Sequence, residues 1–166
     1  IGEELSVFAV CDGKDYIILN TAQDYKRAFD GDKGPNTGGM GAYSPTPLST
    51  DDILTKTKST VIEPTLKAMR DAGHPFVGFL YVGLMIVDGE PYVIEFNVRM
   101  GDPETQVVLP LLESSFFELL WNATHGKIND SKVKISSKTA VTVVLAAKGY
   151  PSSYPKGMEI SGLESE

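Results

Sequence analysis

The segment GFLYVGLMIVDGEPYVIEFNVRMGDPETQ, residues 78–106, decides the fold. Two β-rich runs, 78–87 and 92–98, flank Asp88-Gly89. Asp-Gly between such runs is a strong hairpin signal, because the tightest two-residue turns need positive φ at both positions. The second run alternates. Ile94, Phe96 and Val98 fall on one face of a strand, and Glu95, Asn97 and Arg99 on the other. The expectation is an apolar face turned to the core and a chemical face turned to a site. Glu95 and Asn97 are rooted roughly 7 Å apart, and both offer oxygen. That donor set suits Mg²⁺, which takes few protein ligands and completes its shell with water and phosphate. The bland alternative is a surface salt bridge between Glu95 and Arg99, worth little to stability.

Working outward, residues 4–10 and 16–20 form a second pair of β-rich runs around CDGKD. Two hairpins imply a mainly antiparallel sheet. A helix is expected over 50–72, started by Ser49 or Thr50 with Asp51 and Asp52 in its first turn. Ile53, Thr57, Val61, Leu66 and Met69 follow its inner face, and Pro64 should kink or split it. A further helix is expected over 111–124, with Leu112, Phe116, Leu119, Leu120 and Ala123 on one face and Gly126 ending it. Phe116, Phe117 and Trp121 read as core. Residues 127–138 read as a linker or edge turn, and TAVTVVLAA, 139–147, as a buried strand.

The 166 residues match one domain in length, and 42% hydrophobic content is enough for a core. A formal charge of -7 argues against nucleic acid and anionic membrane as partners, since both call for a basic field. No run approaches the length of a bilayer span, and the opening lacks the zones of a secretion signal. The lone Cys11 fits a reducing compartment, so the cytoplasm is the expected location. Strand-like sequence begins almost at once, which leads to the expectation of a segment of a longer protein.

GPNTGGMGAYSPTP, residues 34–47, is a loop whose bare backbone can approach a ligand closely or can be an ordinary connection. It is neither a Walker P-loop nor a Gly-x-Gly-x-x-Gly fingerprint. In QDYKR, 23–27, Lys26 or Arg27 can face a phosphate while Asp24 orients an amine or a metal-bound water; the alternative is a solvated loop end. Glu3 and Glu4 open a strand, where a carboxylate can take the hydroxyls of a ribose or merely mark an exposed edge. His74 and His125 sit beside a turn and a helix end and are assigned no chemistry.

With GEE (2–4), QDYKR, GPNTGGMGAYSP (34–45), GFLYVGLM (78–85) and VIEFNVRMGDPETQ (93–106) in order, the chain resembles the phosphoribosylamine-glycine ligases, ATP-grasp enzymes of purine synthesis. The resemblance implies an α+β fold. Residues 1–130 would form the C-terminal half of an ATP-grasp domain, a mainly antiparallel sheet flanked by helices. Residues 131–166 would be a linker and the start of a small β-rich C-terminal domain. It also implies a reaction in which ATP phosphorylates glycine and the amine of 5-phosphoribosylamine attacks the acyl phosphate. The products are glycinamide ribonucleotide, ADP and phosphate.

By the same resemblance, Glu95 and Asn97 hold Mg²⁺ or Mn²⁺, and Glu4 contacts the nucleotide. Arg99, Asp24 and Lys26 carry catalytic roles, and Asn36, Thr37, Gly38 and Gly39 line the substrate side. Two departures stand out: Tyr25 occupies a position where the family usually has His, and YVGLMIV lacks the further acidic ligand of many ATP-grasp strands. Without the lid that clamps ATP, the isolated segment is expected to turn over poorly.

Overall fold

The computed structural model describes residues 2–164; residues 1, 165 and 166 lie outside the description. Its main sheet has four antiparallel strands in the order β2-β1-β7-β8. They comprise β1 (Glu3–Asp12), β2 (Tyr16–Ile18), β7 (Val77–Val87) and β8 (Glu90–Asn97). Both expected hairpins form. Asp88 and Gly89 adopt φ of 51° and 78°, the pair of positive values that their turn requires. In the first hairpin Asp12 accepts hydrogen bonds from the Lys14, Asp15 and Ile128 amides, so one carboxylate fixes the turn and anchors a distant loop.

β1 is the central strand, covered on both faces. Leu5, Val7, Ala9 and Cys11 point into one cluster with Leu80, Val82 and Leu84, against Ile53, Val61, Ile62 and Leu66 of the first helical layer. Phe8 and Val10 point into a second cluster with Val107, Val108, Leu119, Ala123 and Ile128. A strand buried on both sides reads as a continuous apolar run, as SVFAVC does. Each fully buried Val or Leu side chain contributes about 1.5–3 kcal/mol. Within this core, burial pushes the Cys11 thiol up to about 12, with the Asp12 charge adding to it, so the thiol stays protonated.

The first helical layer runs as α1 (Asp51–Thr57), a π turn (Lys58–Ile62) and α2 (Glu63–Asp71). Thr50 caps it by accepting from the Ile53 amide at 3.3 Å. Pro64 divides the layer as expected. It sits in the first turn of α2, where a missing N–H costs least. Of the expected inner positions Ile53, Thr57, Val61 and Leu66 are buried, whereas Met69 is 36% exposed. The second layer contains α3 (Thr105–Val108) and α4 (Phe116–Thr124). The expected helix over 111–124 begins late, because Leu111 closes a 3-10 turn, Leu112 bridges Ile135 and Ser115 caps α4 on the Glu118 amide.

Short strands carry the glycine-rich region: β3 (Gln23–Asp24), β4 (Arg27–Phe29), β5 (Lys33–Asn36) and β6 (Gly41–Ser44). β4 and β5 pair as a hairpin, and β6 lies between β3 and β9 (Ala140–Val143).

Three expectations of burial fail. Ile94 and Phe96 of the edge strand β8, and Val98 just after it, are 50%, 45% and 72% exposed, because no further strand or layer of the described residues covers them. Val141, Val143 and Leu145 are exposed too, and the strand shrinks to four residues that pair only through β6. Phe117 and Trp121 lie on the open side of α4, where Phe117 stacks on Trp121 and Trp121 on His125. Among the three aromatics read as core, only Phe116 packs inward, stacking on Phe79.

Candidate active site

Glu95 and Asn97 share one side of β8, as their spacing predicts: the Asn97 amide donates to Glu95 Oε1 at 3.1 Å. A bulge sharpens the arrangement. Gly83 pairs with Glu95 but Leu84 with Val93, leaving Ile94 as the extra residue. Ile94 therefore borders the same cavity of about 210 Å³ as Glu95, instead of lying strictly opposite. Glu4, Ser6, Lys26 and Tyr81 complete that cavity's polar lining.

Gly83 faces Glu95 across the strands, and a Cβ there would stand 3.1 Å from Glu95 Cγ. Gly83 thus leaves the space that the Glu95 side chain occupies. Among the described residues no group of three or more His, Cys, Asp or Glu side chains is arranged to hold a metal ion. The Glu95-Asn97 pair offers two hard oxygen donors at its tips, a set that fits a divalent cation whose remaining ligands are water and phosphate.

Glu4 and Asp24 converge on Lys26. The Lys26 ammonium donates to Glu4 and lies 3.4 Å from Asp24, whose side chain is 3% exposed. Burial opposes the Lys26 charge, but the Glu4 hydrogen bond and the two carboxylates outweigh it and hold the ammonium above its ordinary value. Asp24 also shifts upward, contrary to a simple ion pair. Its burial is the dominant influence, the Glu4 charge adds to it, and Lys26 only partly compensates. Burial thus works against both charges, and the two carboxylates more than restore that of Lys26. A second cavity, about 850 Å³, opens from Glu4, Asp24 and Lys26 towards Arg27, Asn36 and Met85.

The glycine loop is fastened to this cluster. The Thr37 amide and hydroxyl both donate to the Lys26 carbonyl, at 2.7 and 2.9 Å, and the Gly39 amide donates to Thr37 Oγ1 at 3.0 Å. Two of the four expected substrate-lining amides are thereby engaged within the protein, and Asn36 is the member that lines the larger cavity. Gly38 approaches Tyr150, whose hydroxyl would lie 4.0 Å from a Cβ. Gly39 has φ of 127° and abuts Pro103, with ring Cγ 3.2 Å from where a Cβ would stand. The loop thus meets the turn that follows β8.

Arg99 sits on that turn, exposed, and its guanidinium donates to the Met100 carbonyl at 2.9 Å. Among the described residues no ion pair joins it to Glu95, so the surface-bridge reading fails, and neither cavity includes it. Sequence reasoning missed Ser6 and Tyr81 beneath the site, and took Glu104 only as one of two acids in the turn after β8. Their signal was faint: a hydroxyl inside each apolar strand and an acid two residues from Asp102. A further cavity of about 470 Å³ beside α4 shares no residue with the two described above.

A family model for the ATP-grasp (A) domain of phosphoribosylglycinamide synthetase matches residues 1–105. The chain belongs to that family. Among curated proteins, the phosphoribosylamine-glycine ligase of Leptospira interrogans is 52% identical over 96% of this chain and 38% of its own length. That of Rhizobium meliloti is 48% identical over 98% of this chain and likewise 38% of its own. The crystal structure of the Thermotoga maritima phosphoribosylamine-glycine ligase matches with a TM-score of 0.86 at 43% identity, over 95% of this chain and 39% of that one. The chain therefore spans about 38% of the length of these curated phosphoribosylglycinamide synthetase relatives. No helix among the described residues is long and apolar enough to cross a membrane.

Proposed function

We propose that this chain forms part of the active site of a cytoplasmic phosphoribosylamine-glycine ligase of de novo purine biosynthesis. The complete protein joins glycine to 5-phosphoribosylamine with conversion of ATP to ADP and phosphate. The observation that carries the reading is the convergence of Glu95, to which Asn97 is hydrogen-bonded, with Glu4 and Lys26 on one cavity, beside a glycine loop fastened to Lys26. Glu95 and Asn97 hold Mg²⁺ or Mn²⁺, which when bound disperses the charge of the ATP phosphates.

The chain's own residues supply the rest. Lys26 places a lasting positive charge where phosphate oxygens arrive, and Asp24 and Glu4 keep its ammonium in place. The Glu4 carboxylate, beside the Lys26 ammonium, is the acceptor for a ribose diol. Arg99 uses one donor on Met100, which leaves the rest of its planar fork for an acyl phosphate. Asn36 and the backbone around Gly38 orient glycine and the amine.

The test is ADP release by the complete protein, with glycine and 5-phosphoribosylamine present or withheld. Release should require both, and Glu95→Gln should lower it about 100-fold or more with an unchanged far-ultraviolet spectrum. Nucleotide binding without glycine-dependent release would leave a non-catalytic nucleotide module. Release with another amino acid in place of glycine would indicate a ligase for a different acid.

A further inference from the structure

Beneath the candidate site lies a buried polar knot that none of the roles above uses. Glu104 is 4% exposed, Ser6 2% and Tyr81 4%. The Ser6 and Tyr81 hydroxyls lie 2.9 Å apart, and each donates to Glu104 Oε1 at 3.3 Å. The other carboxylate oxygen folds under Gly101; a Cβ at that position would stand 2.7 Å from Glu104 Cδ. Burying a carboxylate is costly unless it is held by donors, so the arrangement persists because its partners come from three segments at once.

Those segments are the ones that carry the site. Ser6 lies two residues after Glu4 on β1. Tyr81 pairs with Asn97 across β7 and β8. Glu104 ends the turn that starts at Arg99, and its neighbour Pro103 supports Gly39 of the glycine loop. Ser6 and Tyr81 also form part of the cavity wall beside Glu95 and Lys26.

We propose that Glu104 is a positioning residue: by gripping the Ser6 and Tyr81 hydroxyls it fixes the turn bearing Arg99 against the strands bearing Glu4 and Asn97. The role rests on the ligase reading above for its effect on turnover. It acts without touching substrate. A displacement of the order of 1 Å away from the reacting atoms is enough to cost about 100-fold in rate, and losing the grip frees the turn by that order.

Two measurements test it. In the complete ligase, Glu104→Ala should lower kcat about 30- to 100-fold while KM for ATP stays within about twofold. Glu104→Gln, which keeps an acceptor oxygen for both hydroxyls, should recover to within about fivefold of native. Tyr81→Phe should cost kcat about 3- to 10-fold alone and almost nothing further in the Glu104→Ala background, because both act through one grip. A folded Glu104→Ala enzyme with native kcat, or additive losses in the double variant, overturns the proposal. Where Glu104→Ala does not fold, Tyr81→Phe and Ser6→Ala carry the same comparison.

The second measurement is amide hydrogen exchange of the chain. Residues 99–106 should exchange about tenfold faster or more in Tyr81→Phe, while amides at the centre of β1 keep their protection. Unchanged exchange at 99–106 overturns the proposal whatever the activity. If the native complete protein shows no glycine-dependent ADP release, the ligase reading fails, and the exchange data alone decide whether Glu104 holds the turn.

Discussion

Gly101→Ala should destabilise the protein even though the residue does not adopt a positive φ. The new Cβ would lie 2.7 Å from Glu104 Cδ and 3.1 Å from Oε1, roughly 1 Å inside the distance at which carbon atoms pack. A free carboxylate would swing aside, but this one is held by Ser6 and Tyr81. Moving it weakens two hydrogen bonds to a buried acid, each worth about 1.5–3 kcal/mol when the acid is charged. Replacing Gly by Ala returns about 0.4–1 kcal/mol through the unfolded chain. The net expectation is about 2–4 kcal/mol, or a Tm lowered by roughly 5–15 °C for a chain of this size. Urea unfolding followed by far-ultraviolet circular dichroism measures it. The decisive control is the Glu104→Ala background, where the methyl group enters vacated space and should cost less than about 0.5 kcal/mol. Equal costs in the two backgrounds refute the reasoning, because they would place the strain in the backbone and not against the carboxylate.

Gly39→Ala combines φ of 127° with the Pro103 ring; backbone strain of about 1–3 kcal/mol should detach the loop, seen as faster exchange of the Thr37 and Gly39 amides at nearly unchanged global stability. Asp12 gives an acid-side prediction: burial opposes its ionisation, yet the Asp15, Lys14 and Ile128 amides outweigh that and lower its pKa. Its contribution is present above about pH 4 and lost as pH falls through the lower folded value, so Asp12→Asn should be less stable by about 1–2 kcal/mol at pH 7 and converge with native protein in acid unfolding curves as pH falls through that lowered value.

The hairpins were legible because the chain announces them locally. Asp-Gly demands a turn, and the flanking β-branched residues demand strands, so no distant partner is needed to read either one. Glu95 and Asn97 were legible for a related reason: period-two spacing fixes a shared side whatever the rest of the sheet does. The burial of their neighbours was not. Ile94, Phe96 and Val98 satisfy the pattern of a core face, but burial depends on what lies opposite, and β8 is an edge. The bulge at Gly83 and Leu84 compounds this by shifting Ile94 towards the cavity, a one-residue event that alternation cannot express. Phe117 and Trp121 illustrate the same limit on a helix, where an apolar residue can share a helix with the core and still face outward.

Ser6, Tyr81 and Glu104 were invisible as a cluster for a deeper reason. Each is ordinary in its own segment: a Ser in a strand, a Tyr in an apolar run, a Glu opening a helical turn. What makes them a unit is the antiparallel register, which sets Ser6 opposite Gly83 and Tyr81 opposite Asn97, so that both hydroxyls reach a carboxylate folded back under Gly101. Burial raises the Glu104 carboxyl above its usual range, with Asp24 adding and Tyr81 and Lys26 opposing. For such a group stability falls as pH rises from its unfolded value, near 4.3, towards the raised folded value. This is the reverse of the Asp12 dependence: three amides outweigh the burial of Asp12, whereas for Glu104 burial and the Asp24 charge outweigh its own backbone amide, Tyr81 and Lys26. The acid that caps a turn thus favours ionisation and the acid beneath the candidate site resists it, a distinction set by the balance of burial against the donors the fold delivers and not by the residue type in the sequence.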